Sequence, residues 1–412
     1  MASIRYWIWL SSLPGFGPKA QLRTYRHFGT PEDAFLADRE AVEAVEGLTR
    51  QEKSALMNKD LRMADSILGD CDRHGICILT CQDVMYPERL RNIDVPPLVL
   101  YYKGRLLPFD DLPAITVVGS RDPSAYGAMM AKRMGNELGA CGGTVVSGAA
   151  KGIDSLALEG ALSAGAPVAA VLGNGIDVVY PASARSLYAD IAAHGCLISE
   201  YYPGTRPYGQ NFPRRNRIMS GLSLGVLVVE AKKQSGSLIT ADYALEQGRD
   251  IFAIPGNAGN AACEGSNGLI QEGALLVTEG WDILREYQAR FPERLRPVHS
   301  REKLTLSPRD QREIAPESAA KKPENPPAER PRTEKTFDKG ENTNYIDVQQ
   351  ILSKLSEDEK AIVLALSQGE KHIDDIIAET ELSPARALAS LTLLEVKKYV
   401  RQKAGKRFHL VN

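Results

Sequence analysis

The sequence predicts an α/β protein with a doubly wound core of buried parallel strands, a small helical domain before it and a winged helix after it. Three observations carry this reading. Short apolar runs alternate with helical stretches between residues 113 and about 289. A glycine-containing turn lies between two apolar-periodic stretches near the N-terminus. Beyond a proline-rich segment, three helical signals and two strand signals close the chain. A length of 412 residues accommodates two to four domains, and 43% hydrophobic with 25% charged residues is ordinary for a globular protein.

Residues 1–90 read as a helical domain of SAM/helix-hairpin-helix-like type. Its signature is Leu13-Pro-Gly-Phe-Gly-Pro-Lys-Ala20, with a weaker echo at Val45-Glu-Gly-Leu-Thr49. Such a turn exposes backbone N–H groups at a helix N-terminus, where a phosphate can sit. The plainer alternative is a packing unit with glycine at its turn. Residues 91–290 form the core. Apolar runs at 115–118, 144–146, 168–172, 197–199, 226–229 and 251–254 read as buried parallel strands, with helices such as 125–138 and 155–164 between them. That rhythm is the Rossmann-type, doubly wound pattern. Residues 291–344 hold eight of the 24 prolines, mixed charges and little apolar content, and read as a disordered linker. In residues 345–412, Ser356-Glu-Asp-Glu359 is a capping box, 373–380 a second helix, and Ser383-Pro384 opens a third. Strand signals at 399–402 and 407–411 complete a winged helix.

The formal net charge is only −2, so any nucleic-acid surface must be local. None of the six cysteines forms a CxxC pair, which points to free thiols in a reducing cytoplasm and to no metal. The opening apolar run lacks the length and cleavage site of a signal peptide, and no run reaches the ~20 residues of a membrane span. The expected location is the cytoplasm.

Five stretches carry chemistry. In the first, a strand ends at Gly119-Ser120-Arg121: Gly119 allows close backbone approach, Ser120 offers a hydroxyl and Arg121 a forked cation. A tight turn with a surface arginine is the plain alternative. In the second, Ser147, Gly148, Lys151 and Gly152 form a small-residue loop before a helix, a pattern suited to an anion nest, with Asp154 as a helix cap. The third, Leu172-Gly-Asn-Gly-Ile-Asp177, has Val178 where a dinucleotide fingerprint needs glycine, and no Walker A motif occurs, so no cofactor is expected. The fourth, Asn211-Phe-Pro-Arg-Arg-Asn-Arg-Ile-Met-Ser-Gly221, concentrates Arg214, Arg215 and Arg217 near Arg206, Tyr208 and Phe212, with no acidic residue between 204 and 229. Arginines grip phosphates while aromatic faces stack on splayed bases, the combination that suits single-stranded nucleic acid. A solvated basic loop is its alternative, with Asn216 tying the backbone. In the fifth, Ser235, Gly236 and Ser237 precede a helix and suit another anion site, while Glu230 at a strand end lacks a paired acid or base and reads as a structural hydrogen-bonding group.

These stretches, in this order, resemble the DNA-processing protein A (DprA/Smf) family, most specifically in FPRRNRIMSGLS followed by SGSLITA. The resemblance covers about 115–280, and the helical domain and winged helix fit it. It implies a homodimer that coats incoming single-stranded DNA, and recruitment and loading of RecA recombinase during natural transformation. By motif, it implies that Gly119, Ser120, Arg121, Ser147, Gly148, Arg214, Arg215, Asn216 and Arg217 line the DNA pocket; Lys151, Phe212, Ser235, Gly236 and Ser237 join them on chemistry. Where the family often has His and Asn, this chain has Leu158 and Ala184, so those positions take no role and Arg185 becomes a candidate basic contact.

No catalytic residue is expected. The competing enzyme reading, a phosphoribohydrolase-like Rossmann protein, lacks its hallmark Pro-Gly-Gly-x-Gly-Thr-x-x-Glu; the matching region is Ser235-Gly-Ser-Leu-Ile-Thr240. A transcription-factor reading is weakened by the winged helix itself. Its third helix offers only Arg386 as a base reader, although Lys397, Lys398, Arg401, Lys403, Lys406 and Arg407 make its end basic. Protein contact and weak duplex binding both stay open for this module.

Overall fold

A computed structural model describes residues 3–298, 356–366, 369, 371–380, 382–397, 399–403 and 407–410. They fall into two compact units, Met1–Asp310 and Gln311–Asn412. In the first, a nine-stranded sheet is built from β1 (Cys77–Thr80), β2 (Val99–Gly104), β3 (Ala114–Val118), β4 (Thr144–Ser147), β5 (Val168–Leu172), β6 (Cys196–Ser199), β7 (Gly225–Val228), β8 (Asp250–Ala253) and β9 (Leu275–Leu276). Their order is β1-β2-β6-β5-β4-β3-β7-β8-β9. From β6 to β9 all neighbours run parallel. The β1–β2 and β2–β6 pairs are antiparallel. The six runs expected as strands lie within β3 to β8 to a residue or so. Strands β3 to β7 are buried throughout, which explains continuous apolar runs rather than alternation.

The helices between strands start where the sequence supplies caps. Ser124 accepts the Gly127 N–H at 3.1 Å and opens the helix Ala125–Ala140, which packs beside Ile153–Ser163. Before the sheet, six helices run from Ile4–Ser12 to Arg62–His74 around buried Trp7 and Trp9. The helical stretch therefore stops short of residue 90. β1 lies inside it, because Ile78 and its neighbours pair with β2 and extend the sheet. The far boundary also shifts. Phe291 and Leu295, expected in the linker, are buried against the core, and the Arg296 N–H bonds to the Cys141 carbonyl at 3.2 Å. Residues 299–344 of the expected linker lie outside the described residues.

In the second unit, the helices Glu357–Leu366, Ile373–Thr380 and Pro384–Val396 are joined by β10 (Lys371–His372), β11 (Val400–Lys403) and β12 (Arg407–Leu410) in the antiparallel order β10-β12-β11. The strand β10 is an addition to the two expected. Ile362, Ile376, Leu391 and Leu394 form its own core.

All six cysteines are free, and only Cys77 is exposed. Burial pushes Cys71 and Cys196 up to about 12 and Cys81 up to about 11. A thiol must be both ionised and accessible to react. Iodoacetamide on the native protein at about pH 8 is therefore expected to label Cys77 first, with the others following only on denaturation. Peptide mass mapping checks this, and early labelling of Cys71 or Cys196 contradicts the packing.

Candidate nucleic-acid interface

β3 and β7 lie side by side, but the chain leaves β3 towards β4 and leaves β7 towards β8. Loops diverging at such a switch point open a crevice at the carboxyl ends of the strands. The crevice here encloses about 450 Å³. Gly119, Ser120, Arg121 and Asp122 form one wall, and Lys232, Gln234, Ser235, Gly236 and Ser237 another. The third wall is the start of the helix Asn211–Leu222, with Phe212, Pro213, Arg215 and Asn216.

Hydrogen bonds hold the first wall in place. The Ser120 N–H donates to the Glu230 carbonyl at 2.8 Å. The Glu230 carboxylate accepts the Ser124 N–H at 2.9 Å and also the Ser124 hydroxyl. Glu230 is 1% exposed, so this carboxylate is occupied as a structural anchor. Gly119 is required because a Cβ there would overlap the Ile153 side chain and the Glu230 carbonyl.

The arginine run is a helix rather than a loop, and helical spacing separates its members. Phe212, Arg215, Asn216 and Met219 face the crevice. Arg214 and Arg217 face the other way, into a second cavity of about 560 Å³ shared with Lys19, Glu52, Asp94 and Glu246. Arg217 is 6% exposed and pairs with Glu200 at 2.6 Å, while its Nε donates to the Val95 carbonyl at 3.1 Å. Arg215 is 4% exposed. Its guanidinium donates to the carbonyls of Gly148 and Val171 and to Asn216 Oδ1. Burial lowers the Arg215 pKa and raises that of Asp154, and their mutual attraction opposes both shifts. Arg215 is thus a fixed charge under the crevice. Arg121 is the exposed one, with its guanidinium 5.4 Å from the centre of the Phe212 ring.

The second stretch sits deeper than its sequence suggested. Ser147 is fully buried and donates to the Val117 carbonyl at 2.6 Å. The Gly148 N–H is spent on Asp154 at 3.1 Å rather than left free for an anion, and a side chain at Gly148 would collide with the Arg215 guanidinium. Lys151 pairs with Asp122 at 2.6 Å on the rim. Arg185 is exposed at the start of the helix Arg185–His194 and is not among the residues lining the crevice. Leu158 and Ala184 are buried in packing roles.

Sequence reasoning did not single out Lys232, Gln234, Met219 or Thr240, all of which line the crevice. Lys232 and Gln234 follow a strand end just as Arg121 does, and that rule had the power to find them. Among the described residues, no group of three or more His, Cys, Asp or Glu is placed to hold a metal, and no helix is long and apolar enough to cross a membrane. In the second unit, Arg386 is engaged by Asp358 at 3.0 and 2.7 Å, and Lys397 by Glu359 at 2.7 Å. Lys398 and Lys406 lie outside the described residues.

The profile of the family described as DNA recombination-mediator protein A matches residues 77–288, and that of the DprA winged helix domain matches 349–406. A Synechocystis protein named Smf is 32% identical over 412 residues, spanning 98% of both chains. This chain belongs to the DNA recombination-mediator protein A family. A further relative, DNA processing protein DprA of Streptococcus pneumoniae, is 46% identical over 212 residues, covering 50% of this chain and 72% of its own. The X-ray structure of DprA from Streptococcus pneumoniae superposes with a TM-score of 0.62 at 37% identity, covering 69% of this chain and 99% of that one. The family match begins at β1 and spans the whole sheet, so the crevice belongs to the part that defines the family.

Proposed function

We propose that this protein binds single-stranded DNA in the crevice between β3 and β7, without catalysing a reaction on it. The observation that carries the reading is the mouth of the crevice, where the exposed Arg121 lies over Phe212. Lys232 and the Ser235–Gly236–Ser237 turn face it across the opening. Cation and aromatic face together serve a strand whose phosphates and splayed bases are both accessible, which a duplex does not offer. Glu230, the carboxylate that a hydrolase reading needs, is held by Ser124.

The family supplies the setting: incoming strands in the cytoplasm during transformation, with the bound strand handed to RecA recombinase. Homodimerisation has a suitable surface in β9, a sheet edge that carries exposed Leu275 and Leu276.

A gel-shift comparison of one oligonucleotide, single-stranded and annealed, tests the main claim. Tighter binding to the single strand is expected, little dependent on sequence. Its affinity should fall with salt by a slope of about 0.7 for each phosphate contacted. Equal affinity for both forms at moderate salt rejects the proposal.

A further inference from the structure

We propose that the second cavity binds a free guanine nucleotide, with its phosphate at the hairpin turn Gly17–Ala20 and its base on the wall around Arg217. The cavity, about 560 Å³, lies between that turn, the segment 93–95, the back of the helix Asn211–Leu222 and the end of the helix Leu238–Glu246. It shares no lining residue with the crevice. Two buried oxygens without partners flank Arg217. Gln247 lines the cavity, and its Nε2 donates to the Arg217 carbonyl at 3.1 Å. That bond settles which way the amide points and leaves Oε1 buried with no donor. Glu200 gives Oε1 to Arg217 at 2.6 Å, and its Oε2 is buried and unpartnered as well. Buried polar atoms are rarely left so, which marks this wall as rich in acceptors that lack a donor. Asp94 and Glu246, both exposed, add carboxylates to the cavity, while Glu52 is spent on the Thr49 cap.

The cations of the same cavity need the opposite partner. Lys19 and Arg214 are exposed, and among the described residues no ion pair engages their side chains. Lys19 sits in the first turn of the helix Pro18–Phe28, whose N-cap is Gly17, so no side chain caps it. The first N–H groups of that helix are therefore open to an anion. A fitting ligand carries adjacent N–H donors, an edge of acceptors and a phosphate. Guanine places N1–H beside its N2 amine, and O6 beside N7 on the neighbouring edge. An arginine fork is the side chain that matches O6 and N7. Adenine sets an amine beside N7, which opposes the donors of Arg214. Tyr243 lines the same space and offers a ring face for the base.

The test titrates the full chain with GMP, AMP, guanosine, inorganic phosphate and L-arginine, in the absence of DNA and with saturating oligothymidylate. GMP is expected to bind about tenfold or more tighter than AMP, the margin of one bidentate base contact. Arg214→Ala should bring GMP down to the level of AMP. Arg214→Lys should not restore the margin, since an ammonium cannot fork. Lys19→Ala should weaken GMP about threefold to tenfold and leave guanosine within about twofold. Saturating oligothymidylate, or Arg121→Ala, should leave GMP affinity within about twofold, because the two sites share no residue. No binding of GMP, or equal binding of GMP and AMP, overturns the proposal. Inorganic phosphate or L-arginine binding as tightly as GMP does so too, as does displacement of GMP by oligothymidylate. The single-strand reading of the crevice stands or falls separately, on the binding of oligothymidylate by Arg121→Ala.

Discussion

Replacing Arg217 by alanine is expected to lower the free energy of unfolding by about 3–5 kcal/mol, the range for breaking one partner of a buried ion pair. Arg217 and Glu200 are 7% and 10% exposed at their side chains. Loss of the guanidinium leaves the Glu200 carboxylate buried without its cation and frees the Val95 carbonyl. Arg214, about one helical turn earlier and exposed, should change stability by no more than about 0.5 kcal/mol when truncated. Replacing both members of the pair by Met and Leu, as Arg217→Met with Glu200→Leu, should recover much of the loss. Urea denaturation of wild type and the three variants checks this. An Arg217→Ala protein within about 1 kcal/mol of wild type contradicts a structural role and returns Arg217 to the list of DNA contacts.

The second large effect belongs to Arg121. Arg121→Ala is expected to weaken single-strand binding about tenfold to a hundredfold, from one charge-assisted contact worth about 1.5–3 kcal/mol. Its melting temperature should hold, since Arg121 is exposed and its described contact is the Phe212 ring. The salt slope should become shallower by about 0.7 for the lost phosphate contact. Arg215→Ala should look different. It removes bonds to the Gly148 and Val171 carbonyls and takes from buried Asp154 the main cation that opposes it, so lost binding should come with a lowered melting temperature. Measuring affinity against salt together with thermal melts separates the two. A normal affinity for Arg121→Ala places the DNA elsewhere.

Much of the architecture was legible because buried parallel strands announce themselves. β3 to β7 are short blocks, buried throughout and rich in Val, Ile, Leu and Ala, and β3, β4 and β5 are each followed directly by glycine. The capping residues Ser356 and Ser383 marked where helices begin. The strands that escaped notice lack such contrast. β2, six residues long, runs from buried Val99 to exposed Gly104 and so keeps no single burial pattern, while β1 is four residues of mixed burial, β9 is two exposed leucines, and β10 has two residues. A run that short has no period to read. Phe291 and Leu295 escaped for the opposite reason: two apolar residues amid charge and proline look like linker until the surface they pack on is known.

The sequence by itself determined which residue types the site has at its disposal: glycine and serine at strand ends, and arginine interleaved with phenylalanine. It determined the family as well, because those stretches are specific in order and composition. Only the tertiary structure decided which arginine does what. Arg214, Arg215 and Arg217 are near neighbours in the chain, yet a helix turns by about 100° per residue. One is thereby sent to solvent, one under the crevice floor and one onto Glu200. The distinction depends on partners from distant segments, Val95, Gly148, Val171 and Glu200. Burying a charge is tolerable only where such partners meet it.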